Sequence, residues 1–178
     1  MSHSDFNLFD AFALLDTMGR GSLTKAELYN GLVNYLGLRP SQDEIDLFFD
    51  RFDRDFDSRL SFAEFSSVFN PKDPGYFDAL NSRHSNHQYT SNVRNNPAHV
   101  FLPVTLLDFK ELLRTVFRIE VEAEFLKQKL RQNPIFKLKD AFSLCDSRKT
   151  GKVGVDELRS LIEDRGLFVS DFEATALL

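Results

Sequence analysis

Apolar residues along this chain recur at three- and four-residue intervals, and runs that alternate strictly between apolar and polar positions are scarce. That period predicts an all-α fold. "DFNLFDAFALL" places Phe9, Phe12 and Leu15 on one helical face, and "KAELYNGLVNYLGL" does the same with Leu28, Leu32 and Leu36 before a C-capping Gly37. "SQDEIDLFFDRF" opens with Ser41 and Glu44 at capping-box spacing. Residues 1–70 are thus expected to hold two helix–loop–helix units. Over 71–104 the period stops, and Pro71, Pro74, Pro97 and Pro103 punctuate a stretch rich in Asn, Ser and His, which predicts an irregular linker. Helical spacing returns at Thr105 or Asp108 for a long helix within 105–133. Asn133 and Pro134 then read as the N-cap and first position of a new helix, "PIFKLKDAFSLC", at the start of a last segment over 134–178.

The pattern also repeats. "DAFALLD" ends at Asp16 and "DAFSLCD" at Asp146, and Phe12, Phe49 and Phe142 each stand four residues before an Asp that opens a twelve-residue window. The windows are "DTMGRGSLTKAE" (Asp16 to Glu27), "DRDFDSRLSFAE" (Asp53 to Glu64) and "DSRKTGKVGVDE" (Asp146 to Glu157), three copies of one unit. Each keeps both end acids. The middle copy alone also keeps acids at the third and fifth places.

Calcium is a hard cation that takes six to eight oxygens, and a short loop can wrap one when alternate side chains turn inward. Asp53, Asp55 and Asp57 offer three carboxylates, Arg59 its backbone carbonyl, Ser61 a hydroxyl or water contact, and Glu64 two oxygens at once. Leu60 fills the eighth place, where an apolar strand residue faces a partner loop. With these residues the chain resembles the EF-hand family of calmodulin-like calcium-binding proteins, over residues 5–70 and 134–178. The resemblance implies Ca2+ as the ligand, hands paired into lobes, and Leu23 facing Leu60. It also exposes departures. Ser58 stands where a glycine with positive φ is expected, at a cost on the order of 1 kcal/mol, so the expected affinity is roughly 10⁻⁶ to 10⁻⁴ M. In the first window Met18 and Arg20 replace the inner acids, and in the third Arg148 and Lys152 surround Thr150 and Gly154. Those two loops are expected to stay empty, closed by Arg20 and by Arg148 with Lys152.

Charge and composition narrow the remaining choices. Residues 1–70 carry twelve acids against six bases, which leaves 71–178 at +1, so no basic face suggests nucleic acid. Five bases between Lys127 and Lys139 stand without an acid, as a solvated face or a contact for an acidic partner. No run is long and apolar enough for a membrane span, the N-terminus lacks a signal-peptide order, and the lone Cys145 excludes an intramolecular disulfide. A cytoplasmic setting is expected. His84 and His87 lack a nearby acid or Cys and read as solvated. No phosphate loop, nucleophile elbow or paired catalytic carboxylates appear, so the chain reads as a binding module and not an enzyme.

Ser170 with Glu173 repeats the opening of a further hand whose loop would begin near residue 182, so either the chain is cut from a longer protein or something else is expected to cover the apolar surface of the third hand. The expected function is a calcium-binding adaptor, with one working loop, fixed to a protein partner through residues 105–178. The C-terminal lobe is expected to hold the long helix or a partner segment. With two methionines, grooves lined by Phe49, Phe52, Phe62, Phe65, Phe142 and Leu158 suit one target and not many. The competing expectation is a constitutive structural module of a cytoskeletal or ciliary assembly.

Overall fold

The computed structural model describes residues 5–83 and 100–176, in two compact units, Met1–Glu124 and Phe125–Leu178. In the first unit, α1 (Leu8–Leu15) starts where the Asn7 side chain accepts the Asp10 N–H and buries Leu8, Ala11, Phe12, Leu14 and Leu15. β1 (Ser22–Thr24) leads into α2 (Lys25–Leu36), whose N-terminus is closed by reciprocal Thr24 and Glu27 bonds. Its C-terminus turns on Gly37 at φ +58, the left-handed cap expected from sequence. Gly31 lets α1 and α2 approach closely, because a Cβ there would meet Leu15 Cδ2 at 2.7 Å. α3 (Gln42–Phe52) follows the Ser41 and Glu44 capping box. β2 (Arg59–Ser61) and α4 (Phe62–Phe69) complete the second hand.

β1 and β2 pair antiparallel, with Leu23 opposite Leu60 as the resemblance to paired EF-hands implies. Both are fully buried beside Phe48, Phe49 and Phe65. Phe9 departs from its expected place. It is exposed and stacks its ring on Phe62 at 4.3 Å, because the α1 stripe that meets the core runs through Leu8, Ala11, Phe12 and Leu15 instead.

The stretch read as an irregular linker contains a helix, α5 (Pro74–Asn81), capped by Asp73 with Pro74 at its first position. Its prolines mark a helix start as well as a break. The long helix α6 (Pro103–Gln132) likewise begins at a proline, two residues before Thr105. Its cap comes from far away: the Leu102 N–H and the Thr105 hydroxyl donate to the two carboxylate oxygens of Asp5, at 2.7 and 2.8 Å. Within the first unit α6 buries Thr105, Phe109, Leu113 and Phe117, a stripe at four-residue spacing. Phe109 meets Phe6 and Phe69, and Phe117 meets Phe48, with centroids 5.1 to 5.5 Å apart. The helix expected to lie in the C-terminal lobe therefore covers the N-terminal pair.

In the second unit, α7 (Leu138–Cys145), α8 (Val155–Glu163) and α9 (Asp171–Ala176) follow the end of α6. Asn133 does not cap α7. Its side chain accepts the Ile135 N–H and its carbonyl the Phe136 N–H, which closes a separate turn, and α7 starts four residues after Pro134. Gly166, at φ +79, ends α8, and Ser170 with Glu173 caps α9 as their spacing predicts. Among the described residues no helix is long and apolar enough to cross a membrane.

Candidate metal centre

Asp53 closes α3, its N–H still bonded to Phe49 O, and the chain then coils round its carboxylate. The Asp57 and Ser58 N–H groups donate to Asp53 Oδ1 and Oδ2 at 3.2 and 2.9 Å. Asp57 N–H also reaches Asp55 Oδ1, and Arg59 N–H donates to Asp57 Oδ1 at 2.7 Å. Folding the loop onto its own first acid brings one oxygen each of Asp53, Asp55 and Asp57 within 4.8 Å of one another. Oxygens bound across one calcium at roughly 2.3–2.6 Å stand at most about 5 Å apart, so this donor set fits a hard cation. Among the described residues it is the one such group of three.

The other candidate ligands lie around it. Arg59 sends its guanidinium to Ser22 Oγ at 3.3 Å, which leaves its backbone as the loop-facing part. Ser61 caps α4, its hydroxyl and N–H both bonded to Glu64 Oε2. Glu64 Oε1 takes the Arg54 N–H at 2.7 Å, and Glu64 stands outside the 4.8 Å cluster. Asp53 and Glu64 are buried, whereas Asp55 and Asp57 face solvent.

The electrostatics follow from these bonds. Burial pushes the Glu64 carboxyl up, but donors from Ser61, Arg54 and Asp55 outweigh it and hold the group below its ordinary value. For Asp55 the Asp57 N–H pulls downward. Burial, repulsion from Asp57 and Glu64, and a bond shared with Asp53 prevail and raise it. Crowded carboxylates of one sign are what a bound dication relieves.

The first and third loops share this frame without its acids. Asp16 accepts the N–H groups of Arg20 and Gly21, and Asp146 those of Thr150 and Gly151, at 2.7 to 3.0 Å. In the first loop the Arg20 guanidinium reaches Glu27 Oε1 at 3.1 Å, so the cation occupies the acid that a metal would need. Burial raises the Glu27 carboxyl, yet its Thr24 bonds and Arg20 lower it further. The third loop closes differently from expectation. Arg148 contributes its backbone N–H, with the Ser147 hydroxyl, to Glu157 Oε1, while the Thr150 hydroxyl bonds to Asp146 and to the Lys152 carbonyl. The Gly154 and Arg148 N–H groups and the Ser147 hydroxyl hold the Glu157 carboxyl below its ordinary value against burial, and the Arg148 charge adds the smaller part.

Sequence reading missed one feature of the acid-rich loop. Phe56, at the fourth place, has φ +60, in addition to the expected left-handed turn of Ser58 at the sixth (φ +64), whereas the first loop places Gly19 and Gly21 at the same two turns. Comparing the windows place by place carries that signal. His84 and His87 lie outside the described residues. Cys145 is half-buried with a free thiol, and the bases from Lys127 to Lys139 are all exposed.

Comparison with known proteins agrees with this geometry. The family model described as an EF-hand domain pair matches residues 5–69. The probable calcium-binding protein CML11 of Oryza sativa subsp. japonica is 38% identical over 65 residues, which cover 36% of this chain. The match spans 30% of that relative's length. Residues 5–69 of this chain thus match an EF-hand domain pair in sequence and in fold.

Proposed function

We propose that this calmodulin-like pair binds a single calcium ion, in the second loop, and that the rest of the chain fixes it to a protein partner. The observation that carries the reading is the oxygen cluster of Asp53, Asp55 and Asp57, set against a first loop whose Glu27 is taken by Arg20. Asp53, Asp55 and Asp57 would hold the ion with their carboxylates, Arg59 with its carbonyl, Ser61 through hydroxyl or water, and Glu64 with both oxygens. The bound ion supplies positive charge to a crowded acidic loop. Because Glu64 also caps α4 through Ser61, its engagement ties the ion to the start of that helix. A titration calorimeter tests the reading: one ion per chain is expected, with most binding lost in Glu64→Gln. Two ions of comparable affinity, or binding indifferent to Glu64→Gln, would overturn it.

A structural role has its own support. The face of the pair that a target helix would use is filled by α6 through Phe109, Leu113 and Phe117. Calcium then has less groove to open on that face, and the attachment surface within 105–178 excludes the buried stripe of Phe109, Leu113 and Phe117. A dye that reports exposed apolar surface separates the roles. A calcium-induced rise from the first unit favours a sensor, and a flat signal favours a constitutive module of a cytoskeletal or ciliary assembly.

A further inference from the structure

Calcium in a twelve-residue loop ligates both its first and its last acid, and so joins the end of one helix to the start of the next. In the first loop one residue already makes that join. The Arg20 N–H donates to Asp16 Oδ1 at 3.0 Å, and its guanidinium reaches Glu27 Oε1 at 3.1 Å. Asp16 caps the end of α1, and Glu27 lies in the first turn of α2, where its other oxygen takes the Thr24 N–H and hydroxyl at 3.0 and 2.7 Å. Arg20 is 48% exposed but Glu27 only 6%. Breaking the pair would leave a buried carboxylate without its cation, which costs more than losing a pair exposed at both ends.

The second loop is closed by weaker means. Asp53 accepts the Asp57 and Ser58 N–H groups, and Glu64 the N–H groups of Arg54 and Ser61 with the Ser61 hydroxyl. Its fifth place, Asp57, carries an acid where the first loop carries Arg20. Glu64 stands outside the oxygen cluster, so taking an ion has to draw it inward together with the Ser61 cap of α4.

The two loops share one ladder, in which Ser22 faces Ser61, Leu23 faces Leu60 and Thr24 faces Arg59. Two of the proposed calcium ligands, Arg59 and Ser61, therefore stand on the strand that the first hand holds. The Arg59 guanidinium ties back to Ser22 Oγ at 3.3 Å, and the Arg59 N–H goes forward to Asp57 Oδ1 at 2.7 Å.

We infer that Arg20 is a built-in substitute for the first hand's ion: it keeps that hand joined at all times and, through the ladder, keeps Arg59 and Ser61 in place for calcium at the second loop. Arg20 is a positioning residue and touches no ion itself. Without it the ladder would be intact in only part of the population, and the apparent dissociation constant would rise as that part shrinks. Because the first hand needs no metal, calcium enters the second loop in one step without cooperativity.

This inference rests on the calcium reading above. Losing Arg20 alone also removes a positive charge, which by itself favours a dication, so the test keeps the charge in balance. Arg20→Met with Glu27→Gln leaves the net charge unchanged and retains the capping box, where Gln serves as Glu does. By calorimetry this double variant should bind calcium more weakly than the native chain by about five-fold or more, an ordinary coupling between two sites. Amide exchange in chelator should be faster in β2 and unaltered in α3, which separates a loosened ladder from general unfolding. Met18→Asp with Arg20→Asp should bind two ions with positive cooperativity, because calcium then makes the join that Arg20 made. Equal affinity in the double variant, unaltered exchange in β2, or independent uptake of the two ions would each overturn the inference while the calcium reading stands. A native chain that takes no ion overturns both.

Discussion

At the scale of single residues, the first and second loops divide what a calcium site needs. The second holds the acids but spans its two left-handed turns with Phe56 and Ser58, and the first holds glycines there but carries Met18 and Arg20 at the acid places. A non-glycine residue in that region costs on the order of 1 kcal/mol, and about 1.4 kcal/mol is tenfold in affinity. Ser58→Gly should therefore tighten calcium several-fold by calorimetry, and Phe56→Gly should do the same, since a ring that is 81% exposed gives up little packing. An unchanged constant in both would mean that the turns are unstrained. The converse repair is sharper. Met18→Asp with Arg20→Asp keeps Asp16, Gly19, Gly21 and Glu27, frees Glu27 from its ion pair, and should raise the stoichiometry from one ion to two.

At the scale of elements, α6 is held by an apolar stripe and a distant cap, with Lys110 on the Gly37 carbonyl and Glu120 beside Arg51 as exposed additions. Leu113 is fully buried, so Leu113→Ala should cost about 2–5 kcal/mol, and Phe109→Ala or Phe117→Ala about 3–5 kcal/mol. Asp5→Ala removes both bonds at the helix start and should cost roughly 1 kcal/mol. Leu130, near the other end of the same helix and almost half exposed, is the contrast: Leu130→Ala should stay within about 0.5 kcal/mol. Denaturant unfolding of the five variants in chelator checks the order. Equal losses at Leu113 and Leu130 would mean that α6 does not rest on the pair.

At the scale of the whole molecule, ion binding and the third hand belong to different compact units. Calcium stabilises what it binds by about 2.7 kcal/mol at a hundred times its dissociation constant. Amide exchange with and without calcium should show that gain over residues 5–69 and along α6 through Phe117. Residues 134–176 should exchange alike in both conditions. Added protection at Asp146 to Glu157 would show that the third loop takes part in the response.

Short-range chemistry made the hands legible. Carboxylates at alternate places, capping boxes three residues apart and a glycine after the last apolar turn of α2 are all decided within a dozen residues. The hands and their loops could be placed from sequence for that reason, whereas the pairing of Leu23 with Leu60 was expected from the resemblance to paired EF-hands. The three-to-four-residue apolar period gave each helix but not its neighbour. It showed that Phe109, Leu113 and Phe117 must be covered, and only the tertiary structure decided that the N-terminal pair covers them. The same limit displaced Phe9 from the core and hid α5 behind its prolines. The cap of α6 was beyond any local rule, since Asp5 reaches Thr105 across a hundred positions of chain. A hydrophobic stripe records that water must be excluded, and which surface excludes it is settled only when all the stripes compete for the same core.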